Sequence, residues 1–452
     1  MTVRLRSARG RGVLLATVLG SGMAFLDSTV VNVALPVLGR ELHADMAGLQ
    51  WTVDAFLLTL TALLLLGGSL GDALGRRKMF VAGLVWFAIA SAACGLAPSI
   101  GALALARAVQ GAGAALLVPG SLAVLRSSIP EDEQGQAVGA WAGLSGVTTA
   151  LGPLLGGWLI TAWSWRVVFF LNLPLAAAAA WAGMRCIPES RTSGSLRIDV
   201  PGAAAATLGL GGCVYALIEA PAHGPGVATA AALGAACLAA FVWIEARSRN
   251  PMLPLDLFRS RQFSGANAVT LAVYFALGGA TFLLIIYLQS VLGYSPLAAG
   301  AALTPVTLLL LVLSAPAAKL ASRVGYRVPM TAGPLIAAAG VALLAPVGSG
   351  SSYVSGVLPG IALLGLGLAA TVAPLTSAAL AGAETRHAGI AAAVNTAISR
   401  LAGLLAVALL PLLAGISAAD AGSLAAGFPR AMWICAAVCA AGGLCALATL
   451  RT

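Results

Sequence analysis

Gly68-Ser69-Leu70-Gly71-Asp72-Ala73-Leu74-Gly75-Arg76-Arg77-Lys78 is a short charged turn set between two long stretches that carry almost no charge. The turn needs water. Its flanks have the length, about twenty apolar residues, that crosses roughly 30 Å of hydrocarbon at a helical rise of about 1.5 Å per residue. The whole chain repeats this contrast: its 452 residues are 60% hydrophobic and 9% charged, with a mean hydropathy of +0.97, whereas soluble domains carry about 25% charge. Lipid solvates most of such a chain.

Fourteen apolar runs of spanning length follow one another, over 12-35, 50-70, 79-97, 101-125, 136-161, 166-187, 201-221, 226-244, 264-290, 298-320, 328-347, 353-378, 388-415 and 429-449. Gly293-Tyr294-Ser295-Pro296 separates the ninth from the tenth with a Gly/Pro turn; twelve or thirteen spans is the alternative count. Orientation follows from Lys and Arg, which accumulate on the cytoplasmic side. With fourteen spans and the N-terminus inside, twenty basic residues fall in inside segments and only Arg40, Arg166 and Arg430 fall outside. Both termini are therefore expected in the cytoplasm, in the inner membrane of a bacterial cell.

The net charge of +10 is the sum of this loop bias and needs no nucleic-acid partner. The Arg-rich start resembles a secretory leader, but the apolar run continues through Val33 without an Ala-x-Ala site, which predicts a first span that is retained. Seven cysteines lie in spans or at their ends, with no paired spacing in an outside loop. They read as apolar filler, and Cys435 and Cys439, one turn apart with no histidine nearby, make a poor metal site. His43, His223 and His387 sit in loops. No metal and no cofactor is expected.

The opening turn has a degraded echo. Leu70, four residues, Gly75, one residue, Arg77 returns as Leu320, Gly325 and Arg327, at an offset of 250. Each copy follows the second span of a six-span half. Such a repeat implies two parallel halves related by an axis along the membrane normal. The expected organisation is an all-α polytopic membrane protein with an N-terminal six-helix bundle over 1-190, two extra helices over 191-262 and a C-terminal six-helix bundle over 263-452.

Further motifs carry a family resemblance. Leu26-Asp27-Ser28-Thr29-Val30-Val31-Asn32-Val33-Ala34-Leu35-Pro36 lies in the first span, Arg107-Ala-Val-Gln110-Gly111-Ala-Gly113 in the fourth and Gly152-Pro153-Leu-Leu-Gly156-Gly157 in the fifth. Trp165-Arg166, Asn172-Leu-Pro174 and Asp199-Val-Pro201-Gly202 add weaker support. Together with the Gly68 to Lys78 turn, the chain resembles the fourteen-helix drug-proton antiporters of the EmrB/QacA type within the major facilitator superfamily. That resemblance covers nearly the whole length. It implies alternating-access exchange of a small lipophilic substrate for protons, by a monomer in contact with membrane lipids. The family usually has a basic residue where this chain has Ala73.

The chemistry can also be read from the residues. A charged side chain at mid-bilayer costs about 2.5 to 3.5 kcal/mol on insertion scales, so those kept inside spans are functional candidates. Here they are Asp27, Asp54, Arg107, Glu219 and Arg400. At about 1.5 Å per residue, Asp27 lies roughly 13 Å, Arg107 roughly 10 Å and Asp54 roughly 7 Å from the outer ends of their spans. These three are the proton-coupling candidates. The alternative for Asp27 and Arg107 is a static buried ion pair, and for Asp54 a partly solvated place at the entrance. Resemblance favours coupling for the first two.

Asn32, Gln110, Arg400, Asn395, Tyr274 and Phe275 are the candidates for a substrate cavity. Arg400, near mid-membrane, either meets an anionic or polar substrate group or serves structure. Asn395 has a second reading as a bond between helices, and Tyr274, Phe275 and Phe282 a second reading as packing. Glu219 reads as an interfacial carboxylate. Gly68, Asp72, Gly75, Arg76 and Arg77 at the turn, and Gly152, Pro153, Gly156 and Gly157 in the fifth span, are candidates for conformational gating, with a solvated loop and ordinary helix packing as the alternatives. For Asp72 the gating reading places its carboxylate on a helix N-terminus of the other half. Trp51, Trp158, Trp163 and Trp165 are expected in the interfacial belt. The expected function is a proton-coupled multidrug or antibiotic efflux antiporter, not an enzyme. A metabolite transporter, importer or exporter, and a non-transporting sensor are the alternatives.

Overall fold

The computed structural model describes residues 2-191, 199-222, 224-248, 251-382, 388-418 and 420-450. Arg197, His223, Arg249, Glu384, Arg386, His387 and Arg451 lie outside the described residues. Among the described residues the chain is all-helical. A membrane interior supplies no water to backbone groups, and helices satisfy them within each segment.

The first half comprises α1 (Ala8–Glu41), α2 (Met46–Leu74), α3 (Arg76–Gly95), α4 (Ile100–Ser128), α5 (Glu131–Ala162), α6 (Trp165–Phe170) and α7 (Asn172–Cys186). A hairpin of α8 (Val200–Ile218) and α9 (Pro225–Arg247) follows. The second half comprises α10 (Arg261–Ser290), α11 (Pro296–Ala302), α12 (Thr304–Val324), α13 (Arg327–Ala342), α14 (Leu358–Ala381), α15 (Ala388–Ala414) and α16 (Ala421–Thr449), with a π-helical turn Tyr353–Val357 leading into α14. Among the described residues, thirteen spans are long and apolar enough to cross a membrane. The fourteenth, α13, has 16 helical residues and ends in turns.

Several boundaries have local causes. Ser7 caps α1, its hydroxyl accepting from the Gly10 amide. The Gly293 turn takes φ +70, and Ser295 then caps α11 with Pro296 in its first turn. Span fourteen begins at Ala421, eight residues before the expected start at Pro429. Asp420 fixes that start by accepting from the amides of Gly422 and Ser423, both at 2.9 Å, and Pro429 is carried inside the helix. The sixth span is broken at Leu171, which leaves Asn172 as the first residue of α7.

Two compact units emerge. One holds 1-44, 51-211 and 233-252, and the other 45-50, 212-232 and 253-452. The α8–α9 hairpin is thus divided: its base belongs to the first unit and its tip to the second. In the first unit α1 packs on α4, α5 and α7, and α3 on α4 and α7. In the second, α10 packs on α14, α15 and α16, and α13 on α14 and α16.

The belt expectation fails for Trp165. Its side chain is wholly buried and its indole N–H donates to Glu41 Oε2 at 2.8 Å, because the short α6 turns the ring inward under Arg166. The neighbouring Trp158 and Trp163 are exposed and pack edge to face, with ring centroids 5.1 Å apart.

Candidate functional site

Close helix packing builds the site. Gly111 on α4 has no side chain where an ideal Cβ would stand 2.2 Å from Thr59 Oγ1 and 2.3 Å from the Phe56 carbonyl oxygen of α2. Thr59 closes the crossing by donating to the Ala108 carbonyl at 2.7 Å. One turn earlier on α4, Arg107 therefore lies against α2. Its Nε donates to the Thr52 carbonyl at 3.0 Å, and its guanidinium sits 4.3 Å from the Phe56 ring centroid.

Arg107 meets Asp27 of α1 in a buried ion pair through Nη1 and Oδ2. Asp27 Oδ1 accepts from Gln110 Nε2 and from Asn172 Nδ2, both at 2.9 Å. Gln110 Oε1 accepts from Arg107 Nη1 at 2.7 Å, and Asn172 also donates to Ser91 Oγ of α3 at 2.9 Å. Cys94 contributes a thiol to Gln110 Oε1 at 3.5 Å. Four helices are thereby tied at one point, with both carboxylate oxygens and the cation satisfied, as burying a charge requires.

Asn172 and Ser91 were not among the sequence candidates. The only signal for Asn172 was its place before Leu173-Pro174 at the broken sixth span. Gln110, expected to line a substrate cavity, is fully buried and in this structure serves the ion pair. Its i+3 spacing from Arg107 puts both side chains on one face of α4, and that face meets Asp27.

Asp54 is treated differently. It is wholly buried, and neither of its carboxylate oxygens has a hydrogen-bond partner. At about 100° per residue, Asp54 lies roughly 200° around α2 from Thr52 and Phe56, on the face away from Arg107. Gln50 and Thr61 share that face, and the buried Thr61 hydroxyl also lacks a partner. The expected partial solvation of Asp54 at an entrance is absent. Asn32 on α1 is half-buried, with its Oδ1 unpartnered.

The α1–α5 contact carries the fifth-span motif. A Cβ at Gly152 would stand 2.0 Å from Thr29 Oγ1, and one at Gly156 would stand 2.5 Å from Val30 Cγ1. Pro153 withdraws its hydrogen bond from the Thr149 carbonyl four residues earlier, and Thr29 Oγ1 lies 3.5 Å from that oxygen. Gly157 is buried beside them.

At the opening turn, α2 stops at Leu74 and Gly75 takes φ +113. Asp72 Oδ1 accepts from Arg76 Nε at 2.7 Å, within the turn itself. The segment after α7 caps α3: Glu189 Oε1 accepts the Arg77 amide at 3.1 Å, and the Ser190 carbonyl accepts the Arg76 amide at 3.0 Å. The echo keeps the same bend, since Gly325 between α12 and α13 takes φ +82. Gly68 lies against Pro119 of α4.

In the second unit, Asn395 Nδ2 of α15 donates to Asn267 Oδ1 at 3.0 Å and Thr270 Oγ1 at 2.7 Å on α10. Asn395 is thus spent on a bond between helices. Arg400 lies further along α15 and interacts electrostatically with Tyr274. Tyr274, Phe275 and Arg400 keep partial exposure, whereas Phe282 is packed in the core. Glu219 lines a cavity of about 310 Å³ with Asp45, Gln50, Pro411 and Ser417.

The chain is 36% identical to the multidrug resistance protein Stp of Mycobacterium tuberculosis over 88% of this chain and 74% of that one. It is 35% identical to the tetracenomycin C resistance and export protein of Streptomyces glaucescens over 90% of this chain and 76% of that one. Its fold is shared by a bacterial homologue of the human lysosomal transporter Spinster, solved in an inward-facing, unoccupied conformation, with a TM-score of 0.69 at 16% identity and 99% coverage of both chains. The profile of the Major Facilitator Superfamily matches residues 17–407. Thirteen membrane-spanning helices among the described residues, a turn repeated at an offset of 250 and this match over most of the length agree, and the chain belongs to the Major Facilitator Superfamily of membrane transporters.

Proposed function

We propose that this protein is a proton-coupled exporter of small lipophilic drugs or antibiotics. It works by alternating access, as a monomer in a bacterial cell membrane with both termini in the cytoplasm. One observation carries the reading: two buried carboxyls in the same bundle are treated oppositely. Asp27 has every hydrogen bond it needs from Arg107, Gln110 and Asn172, whereas Asp54 has none. An ionised carboxylate without partners is far costlier to bury than the neutral acid. Asp54 is therefore the group that takes up and releases the proton, and Asp27 with Arg107 is the fixed charge pair that holds α1, α4 and α7 while α2 changes its surroundings.

The glycine contacts at Gly152 and Gly156, with Pro153 between them, let α5 slide and bend against α1. The turn at Gly68, Asp72, Gly75, Arg76 and Arg77 exchanges its internal Asp72 bond for another partner as access alternates. Asn32 supplies an unpartnered acceptor to the substrate from the same bundle. A membrane potential contributes about 2.3 kcal/mol per charge per 100 mV, somewhat under two decades of concentration ratio at about 1.4 kcal/mol per decade. One proton per substrate supports useful export. The similarity to a resistance and export protein supports the outward direction.

The test is transport in proteoliposomes under an imposed pH gradient, together with a drug-susceptibility panel in an efflux-deficient host. Wild type should lower susceptibility to at least one compound and drive its movement against a concentration gradient only while the pH gradient lasts. Asp54→Asn should stop gradient-driven movement and leave substrate exchange at equal pH. Uphill movement that persists in Asp54→Asn would sink the assignment.

A further inference from the structure

The two copies of the repeated turn share a backbone bend and differ in charge. In the first copy both arginines of the bend have an acid: Arg76 pairs with Asp72 at 2.6 Å, and Arg77 Nε lies 3.7 Å from Glu189 Oε2. Glu189 also accepts the Arg77 amide at the start of α3. The echo keeps the arginine, Arg327 at the start of α13, without the carboxylate. Among the described residues no ion pair involves Lys319, Arg323 or Arg327, and the residue before α13 supplies no side-chain cap. Arg327 Nε is buried and has no hydrogen-bond partner. A cation in the first turn of a helix opposes the macrodipole, and burying one of its donors without an acceptor is costly. Both costs fall when an anion takes the place that Glu189 fills in the first copy.

Other basic residues of the second unit are committed elsewhere: Arg259 pairs with Asp256 at 3.2 Å, and Arg261 donates to the Ala448 carbonyl at 2.8 Å. The gathering of Lys and Arg on one side of a membrane explains why cations occur at the echo. It does not explain why three of them, spaced four residues apart, lack an acceptor. The surrounding surface has a matching character. Lys319 and Arg323 are exposed one turn apart at the end of α12. Leu320, Val324 and Val328, each one residue beyond a cation, are 56%, 43% and 56% exposed. In a chain that spans a membrane this apolar row faces lipid tails, and cations at the helix end beside it lie at headgroup level. A ligand with an anionic head and apolar chains complements both.

We propose that the turn at Gly325 is a binding site for an anionic phospholipid: Lys319, Arg323 and Arg327 take the headgroup phosphate, and the acyl chains lie along Leu320, Val324 and Val328. The planar fork of arginine matches phosphate oxygens, and a phosphate supplies the acceptor that Arg327 Nε lacks. One bend of the repeat is thus held by an acid of the chain itself, the other by the membrane. The inference goes beyond the export reading and is independent of the direction of transport.

The test uses the full chain in a neutral detergent and native mass spectrometry, with dioleoylphosphatidylglycerol or dioleoylphosphatidylcholine added at equal concentration, two lipids of the same chains and different net charge. Wild type should retain the anionic lipid at least about tenfold over the zwitterionic one, since each cation near an anionic surface contributes about fivefold. Arg323→Gln combined with Arg327→Gln should bring the ratio close to one, whereas Arg76→Gln combined with Arg77→Gln should leave it as in wild type. Lys319→Gln, at an exposed position, should lower the ratio about fivefold, and it decides should the double variant misfold. Equal retention of both lipids by wild type, a preference that survives these substitutions, or an equal loss in the first-copy variant overturns the proposal. A rise in melting temperature with inorganic phosphate as large as that with the anionic lipid also overturns it, because the ligand would then be a free anion.

Discussion

At the residue scale, the protein separates charge that is held from charge that is exposed to change. Asp27 and Arg107 answer each other at the centre of four helices, so removing one strands the other. Asp27→Asn leaves a buried guanidinium with neutral neighbours and should cost about 3 to 5 kcal/mol of stability, read as a large fall in the melting temperature of the detergent-purified protein. Asn172→Ala removes one of two donors to Asp27 Oδ1, and the expected cost is about 1 to 3 kcal/mol. Asp54→Asn should behave in the opposite sense, with a melting temperature equal to or above that of wild type, because neither of its oxygens is bonded. If the Asp54 variant melts well below wild type while Asp27→Asn does not, the division of labour between the two acids is wrong. Asp27 and Arg107 were legible in the sequence because charges inside apolar runs stand out. Asn172 and Ser91 were not, since a neutral polar residue in a membrane helix is common and only its neighbours reveal its use.

At the element scale, the fifth helix shows how glycine position decides function. Glycines of α5 divide into two groups: Gly135, Gly139, Gly143 and Gly146 have open space where a Cβ would stand, whereas Gly152 and Gly156 face α1 atoms at 2.0 and 2.5 Å. Alanine at Gly139, Gly143 or Gly146 should leave stability and export near wild type, or raise stability slightly. Gly152→Ala should cost about 1 to 3 kcal/mol by overpacking, and adding Thr29→Ala should return part of it, a coupling that a double-mutant cycle measures. An equal response at Gly146 and Gly152 would show that the α1–α5 contact is not what the motif maintains. Helix existence was readable from apolar length in all fourteen spans. Helix ends were less so: the apolar run was read from residue 429, but the Asp420 cap starts the helix eight residues further back.

At the scale of the whole molecule, the repeated turn predicts a paired response. Gly75 and Gly325 both hold positive φ, +113 and +82, where any side chain adds strain of about 1 to 3 kcal/mol. Alanine at either glycine should slow export, and Gly75→Ala should be the worse of the two, because a Cβ there would stand 2.8 Å from Glu189 Oε1. Transport rates of the two variants, compared at matched expression, check the order. What the sequence by itself determined was the class of solvent, the all-helical membrane-spanning architecture, the repeated turn and the charged residues inside the spans. Each of these follows from composition and period along one dimension, because a lipid interior penalises charge and unpaired backbone wherever they occur. Only the tertiary structure decided that Asp27 is saturated and Asp54 bare, that Gln110 serves an ion pair, that Asn395 is used between helices, and that Trp165 is buried. Those outcomes depend on which helix faces touch, and contacts between residues as far apart in sequence as Asp27 and Asn172 arise only when the chain has packed.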